Sequence, residues 1–376
     1  MSRVDKMMLQ ESKSLRLHYL DLEKQIWKEL SFFLDSKYLK KCLKMNFEHL
    51  QVRSEKRIED KANDIKYCLR QAKDYFESAK ISSLITKPLL IYYGLMSLAI
   101  ALLIFKNKDK VLDSISQSHG LEVANYPILS QISKNKIMDI EAKLNKKGTF
   151  FDIADLHFFE RFNLPLKGTE NIENASKTYK RAISFNATYP NCTKVKLRDI
   201  FANITEIYKE VNLVHAIPGK VCLASPIYYQ RDAHQDDTLI LRVSKEFYSQ
   251  DKLKENFSIL ENCVSYAETD DYWFYKWEQQ TNLSINDLPL IKNSILNETF
   301  IVADKGNDLI ASDLIIYYLV FFIFGSIARY KPSLWRIILE DPVHNLGTIP
   351  ESLCEIAYTK LPLLILSEFN DVYLKL

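Results

Sequence analysis

Two long apolar runs constrain this chain more than any other feature. The first is Pro88-Leu-Leu-Ile-Tyr-Tyr-Gly-Leu-Met-Ser-Leu-Ala-Ile-Ala-Leu-Leu-Ile-Phe105, and the second is Leu314-Ile-Ile-Tyr-Tyr-Leu-Val-Phe-Phe-Ile-Phe-Gly-Ser-Ile-Ala-Arg-Tyr330. Neither has a polar side. A helix that is apolar all round must be enclosed, either by other helices or by lipid. The first run approaches the length of a membrane span, so both readings must be weighed. Against a span, it starts at a proline and holds Tyr92, Tyr93 and Ser97, in a chain of mean hydropathy −0.17. The second run has Ser312 and Asp313 in its helical register. Two core helices that meet inside one body are therefore expected, with no membrane association. The start, Met1-Ser-Arg-Val-Asp-Lys, lacks the apolar stretch of a signal peptide, and a cytoplasmic location is expected.

Composition removes several classes of chemistry. With 47% hydrophobic and 26% charged residues, the chain is globular. Its net charge of +2 gives no whole-chain field for nucleic acid or anionic lipid, although a local basic patch stays open. Only 8 glycines occur in 376 residues, and none builds a dinucleotide fingerprint or a phosphate-cradling P-loop. Cys42, Cys68, Cys192, Cys222, Cys263 and Cys354 are scattered, without the close pairs that zinc sites and redox dithiols need. Reduced thiols, no metal and no cofactor are expected.

Periodicity supplies the organisation. Residues 9–50 read as helical, with a segment from Leu20 to Leu34. Ile58, Ala62, Ile65, Leu69, Ala72, Phe76 and Ala79 alternate steps of four and three, which puts them on one helical stripe among charged residues. That stripe is either a coiled-coil seam or the buried side of a helix packed on its own domain, and its three alanines favour the second. Gly94, Ser97 and Ala101 form a small-residue face in the first apolar run, which Phe321, Phe322 and Phe324 of the second are expected to fill. A helix is expected near Ala154–Phe162, a loop over 165–190, and an amphipathic helix over Leu197–Val211. Lys220–Tyr229, Thr238–Val243, Cys263–Trp277 and Glu298–Ala303 are rich in strand-forming residues. Pro332, Pro342, Pro350 and Pro362 punctuate the tail into short helices. The fold expected is α+β, predominantly helical with an inserted small antiparallel β-sheet. It divides into an N-terminal helical region (1–215), an inserted β-rich region (216–305) and C-terminal helices (306–376) that pack back on the first part.

Several short motifs carry a family resemblance. They are Tyr75-Phe76-x-x-Ala79, the block from Pro88 through Tyr92-Tyr93-Gly94 to Ala101, His119-Gly120-Leu121, Gly148-Thr149-Phe150 and Leu197-Arg-Asp-Ile200. The Gly325-Ser-Ile-Ala-Arg329-Tyr330-x-Pro332-x-x-Trp335 block and Leu361-Pro362-Leu-Leu-Ile-Leu366 follow. In this order they resemble the bacterial YaaC-like family across roughly residues 70–370. The resemblance implies no established reaction, and it implies a place among components of bacterial defence loci.

Candidate functional residues were weighed against structural roles. His119 precedes a glycine, so the backbone can turn and present an imidazole able to move protons near neutral pH; equally, it can hydrogen-bond nearby carbonyls. Arg329 ends the second apolar run, where it either complements the helix terminus or clamps a phosphate or carboxylate. If the two runs pack together, His119 and Arg329 come close, and the pair could support metal-independent RNA cleavage. That resembles the logic of HEPN-type ribonucleases. Their Arg followed shortly by His is not reproduced, since Arg336 and His344 are widely spaced and Pro342 interrupts them. Tyr92, Tyr93, Tyr330 and Trp335 flank this pair as candidate binding residues. Trp273, Tyr275 and Trp277 alternate on one strand face, which could stack bases, anchor an interface or simply pack in the sheet. His234-Gln-Asp236-Asp237 reads as a solvated turn rather than a metal site. The function expected is a non-enzymatic, cytosolic protein-interaction component of a bacterial antiviral defence system, with a protein partner or a second copy of itself. The alternative is a metal-independent nuclease-like effector using His119 and Arg329, or a nucleic-acid-binding subunit.

Overall fold

The computed structural model describes residues 10–11, 13–17, 21–48, 54–156, 158–165, 176–183, 194–213, 215, 217–229, 238–277, 290–296, 298–340 and 346–375. The chain opens with two short strands, β1 (Gln10–Glu11) and β2 (Lys13–Arg16), then runs through α1 (Leu22–Ser31), α2 (Ser36–Glu48), α3 (Glu55–Ile81) and α4 (Lys87–Lys106). A mixed section follows: β3 (Leu121–Ala124), α5 (Lys134–Met138), β4 (Glu141–Leu144), α6 (Thr149–Ala154), β5 (Phe158–Pro165), β6 (Ser176–Ile183), β7 (Lys194–Lys196), α7 (Leu197–Ala202) and α8 (Tyr208–Leu213). The sheet region holds β8 (Val221–Tyr229), β9 (Thr238–Ser244), α9 (Gln250–Asn256), β10 (Cys263–Glu268), β11 (Tyr272–Trp277), β12 (Leu290–Asn293) and β13 (Thr299–Val302). The tail is α10 (Asp313–Tyr330), α11 (Pro332–Glu340), α12 (Thr348–Asn370) and β14 (Val372–Lys375). The fold is α+β and predominantly helical.

The two apolar runs are α4 and α10, and they pack on each other. Both are long and apolar enough to cross a membrane, and most of each is buried inside this structure. α3, α6, α10 and α12 enclose α4. The α3 stripe from Ile58 to Ala79 is buried throughout and packs within the chain, chiefly on α4. Ser54 caps the start of α3 by accepting from the Arg57 amide. Buried Lys61 of α3 closes the far end of α4, donating to the carbonyls of Ile104 (3.1 Å), Asn107 (2.8 Å) and Lys110. Burial, with the nearby Arg57 charge, pushes its amine down to about 8.

One expected contact is reversed. The small-residue face of α4 meets α3, not the phenylalanines of α10. A Cβ at Gly94 would sit 2.9 Å from the Phe76 ring, and the Ser97 hydroxyl donates to Gln71 Oε1 at 2.9 Å. Gly325 of α10 faces α4, with Leu89 and Tyr92 3.5 Å from where its Cβ would be, an ordinary contact distance that does not require glycine.

The stretches expected as strands form β8 to β11 and β13, in a six-stranded antiparallel sheet of order β10-β11-β9-β8-β13-β12. Sequence reading missed β12. It also missed the antiparallel β3-β4-β7 sheet and β5 and β6, which lie where a helix and a loop were expected. The helix expected over Leu197–Val211 is two, broken at Asn203–Ile207, and helix α1 is preceded by strands rather than by more helix. Nor does the tail fragment at every proline. Pro332 starts α11 and Pro350 sits in the first turn of α12, where proline is tolerated, but α12 runs through Pro362 because its enclosure outweighs the breaker. Pro342 lies outside the described residues.

One apolar core joins residues from the first part of the chain to residues of α10–α12, and a second core lies inside the six-stranded sheet region. A buried charge network ties them. Lys360 of α12 lies 2.8 Å from both Glu206 Oε1 and Asp313 Oδ2, and Lys292 of β12 lies 2.9 Å from Asp313 Oδ1. Tyr317 donates to Glu206 Oε2 at 2.9 Å. Burial alone would raise the Asp313 pKa, but Lys292 and Lys360 outweigh it and hold the carboxyl well below its ordinary range.

The two helix glycines should respond oppositely to alanine. Gly94→Ala must displace Phe76, which is itself packed near Trp27 and Tyr358, and should lower stability by about 1 kcal/mol or more. Gly325→Ala finds ordinary contact distances and should gain up to about 1 kcal/mol of helix propensity. Urea unfolding of both variants decides it; equal effects would place the close approach elsewhere.

Candidate functional site

His119 and Arg329, 210 positions apart in the sequence, line one cavity of about 360 Å³. It opens between the N-terminal half of α4, the C-terminal half of α10 and β3. Tyr92, Tyr93, Tyr126 and Tyr330 form much of its wall, with Phe322 and Gly325 among the other lining residues.

The His119 backbone is held firmly. Gly120 adopts φ +75° and Gly148 φ +117°, both in the left-handed region that favours glycine. A Cβ at Gly148 would lie 2.6 Å from Gly120 N, so the two backbones touch. The amides of Thr149 and Phe150 donate to the carbonyls of Ser118 (2.9 Å) and His119 (3.0 Å). Asn145 donates its amide to the Gly120 carbonyl at 2.9 Å. The His-Gly-Leu and Gly-Thr-Phe motifs thus meet as one clamp.

Tyr92 orients the imidazole, its hydroxyl lying 3.0 Å from His119 Nδ1. Tyr92 is buried, and its ring stands edge-on to Tyr318 and Phe322. Burial, reinforced by Tyr318 and Tyr93, raises its hydroxyl far above the ordinary phenol range, so it stays protonated. His119 is half-buried; burial first and the Arg329 charge second lower its pKa, and the ring is neutral at neutral pH. With Nδ1 engaged, Nε2 has no protein partner among the described residues and is free for a ligand.

Arg329 donates to the Tyr93 hydroxyl at 3.1 Å and lies 4.9 Å from the centroid of the Tyr330 ring. Among the described residues it pairs with no carboxylate. Glu122 also lines the cavity, but it is 3.4 Å from Lys143. Burial, with Tyr330 and Glu122 nearby, pushes the Tyr126 phenol up to about 12. The site therefore presents one fixed cation, one neutral imidazole, a set of protonated phenols and, at its rim, the Glu122 carboxylate with Lys143 beside it. Chemically, such a cation and such rings can contact an anion and a planar or apolar group.

The other sequence candidates fall elsewhere. Trp335 is buried, donates Nε1–H to the Leu84 carbonyl at 3.4 Å and packs near Phe324; it presents no surface to a ligand. Tyr275 is fully buried in the sheet core, and Trp273 packs against that core beneath Lys245. The Trp277 side chain and the His234–Asp237 stretch lie outside the described residues. Sequence reading missed Tyr126, Glu122 and Ser326. Tyr126 stands in a polar stretch without periodicity, and only its pairing with Pro127 marked it as a turn position.

The model of the YaaC-like protein family matches residues 31–369. This chain belongs to the YaaC-like family. The match takes in α2 to α12, and with them every residue of the cavity. Neither the curated proteins nor the solved structures contain a match.

The depressed His119 pKa has a stability consequence. Above the ordinary imidazole pKa the neutral ring carries no penalty. As pH falls through that value, the unfolded chain takes up a proton that the folded chain resists, and stability declines. The thermal midpoint should therefore drop more between pH 7.5 and 5.5 in the wild type than in His119→Gln. Parallel pH profiles would show that His119 titrates as it does in an unfolded chain.

Proposed function

We propose that this protein is a non-catalytic recognition subunit of a cytoplasmic assembly, and that the His119–Arg329 cavity takes an anionic group of its ligand. One observation carries the reading. Arg329 is held by Tyr93 and Tyr330 at the cavity and forms no ion pair among the described residues, the Glu122 carboxylate of the lining lying beside Lys143 instead. A guanidinium fixed in this way is poised for a bidentate contact with phosphate or carboxylate. The place in a bacterial antiviral defence system, with a protein partner or a second copy, is the expectation that the family resemblance adds. The second reading, metal-independent RNA cleavage, draws support from the neutral His119. In the tautomer whose Nδ1–H donates to the Tyr92 oxygen, Nε2 would take the proton of a ribose 2′-hydroxyl as its oxygen attacks phosphorus. Arg329 would stabilise the charge on the phosphorane, and the proton would pass to the departing 5′-oxygen.

Inorganic phosphate is the simplest probe. It should raise the thermal midpoint of the wild type and leave that of Arg329→Gln unchanged. An identical rise in both proteins would remove Arg329 from the reading. If the protein cleaves RNA, His119→Ala should abolish cleavage while it keeps the phosphate response, and the recognition-only reading would then give way.

A further inference from the structure

The cavity does not stop at Tyr126 and Tyr330. Beyond them lies a second hollow of about 390 Å³, lined by the same two rings and by Ile128, Leu129, Lys331 and Pro332 among others. Tyr126 and Tyr330 are thus a wall common to both hollows. Ile128, Leu129 and Tyr330 are 65%, 53% and 61% exposed, so large apolar side chains stand in water at the second hollow.

Each dividing ring also carries a cation. Arg329 lies 4.9 Å from the centroid of Tyr330, and Lys331 Nζ lies 5.3 Å from that of Tyr126. Neither cation pairs with a carboxylate among the described residues. On the opposite side, exposed Lys146 and Lys147 occupy the turn that packs on Gly120 beside His119, again without a carboxylate partner among the described residues. Aromatic faces alternating with uncompensated cations suit a strand of stacked bases joined by phosphates. An acidic peptide would satisfy the cations but would leave the ring faces without a matching surface.

We propose that the two hollows hold two successive nucleotides of single-stranded RNA, with the bases against Tyr126 and Tyr330 and the phosphates on Arg329 and Lys331. RNA is favoured over DNA because His119 Nε2 and the tyrosine hydroxyls of the first hollow offer partners to a 2′-hydroxyl. This inference rests on the reading of the cavity as an anion site.

The test is fluorescence polarisation of a labelled eight-residue oligo(U) with the full chain. Binding should weaken as salt rises. Tyr330→Ala and Arg329→Gln should each weaken it tenfold or more. Arg336→Ala, which removes an exposed charge on α11 outside both hollows, should change nothing. Tyr330 is exposed, so its variant should keep the wild-type thermal midpoint and report on binding alone. Three results would overturn the proposal: oligo(dT) binding as tightly as oligo(U), UMP competing as well as the dinucleotide UpU, or no oligonucleotide binding at low salt. If oligo(U) fails while phosphate still shifts the midpoint through Arg329, the RNA inference falls and the anion site stands. If both fail, both fall.

Discussion

Everything in this molecule follows from the need to enclose α4. A twenty-residue helix with no polar side cannot rest on a surface, so neighbours must close around it. α3 does so through the gap at Gly94, α10 along the face that carries Gly325, and α12 along a further side. α3 is the neighbour of α4 in the sequence, but α10 comes from a distant part, and its meeting with α4 beside the His119 loop and β3 creates the cavity. Tyr92 and Tyr93 sit where α4 and α10 meet, and the loop carrying His119 is pressed against them by the Gly120–Gly148 contact. The site is a by-product of core packing in its walls and a product of local backbone geometry in its histidine.

How much of this was legible depends on whether a signal was periodic. The α3 stripe, the two apolar helices and most of the six-stranded sheet were readable because burial imprints periods of 3.6 and 2 on the residues. The short strands β3, β4 and β7 were not, since three or four residues hold too few repeats. β5 and β6 failed for another reason. Phe158-Phe-Glu-Arg-Phe162 fits a helix as well as a strand, and the pairing with Ser176–Ile183 that decides it is not local. The His119–Arg329 proximity was legible only as a consequence of the two helices packing. The small-residue face of α4 was visible, but not which neighbour fills it: Phe76 and the phenylalanines of α10 offer similar bulk, and topology chooses between them.

The Glu206–Asp313–Lys292–Lys360 network shows a different kind of specification. Charges so deeply buried add little net stability over an apolar substitute, yet losing one partner leaves the others stranded, at about 3–5 kcal/mol. Such a network is intolerant of misregister. It joins the start of α10, the middle of α12, the α7–α8 turn and β12, and so fixes where the sheet sits on the helical body. Sequence reading had no access to it, because each member is an ordinary charged residue until the fold brings the four together.

The parallel pairing of β2 with β14 bears on how the chain is made. Lys13–Arg16 finds its partner in Val372–Lys375, far along the chain. During synthesis Lys13–Arg16 waits, without this partner, until Val372–Lys375 has left the ribosome. Phe33, stacked against Phe369 at 4.8 Å, waits with it. The helical body can assemble in stages, but this seam closes only once both strands are made, and a chain without Val372–Lys375 would leave Lys13–Arg16 as an open strand edge available to any neighbour.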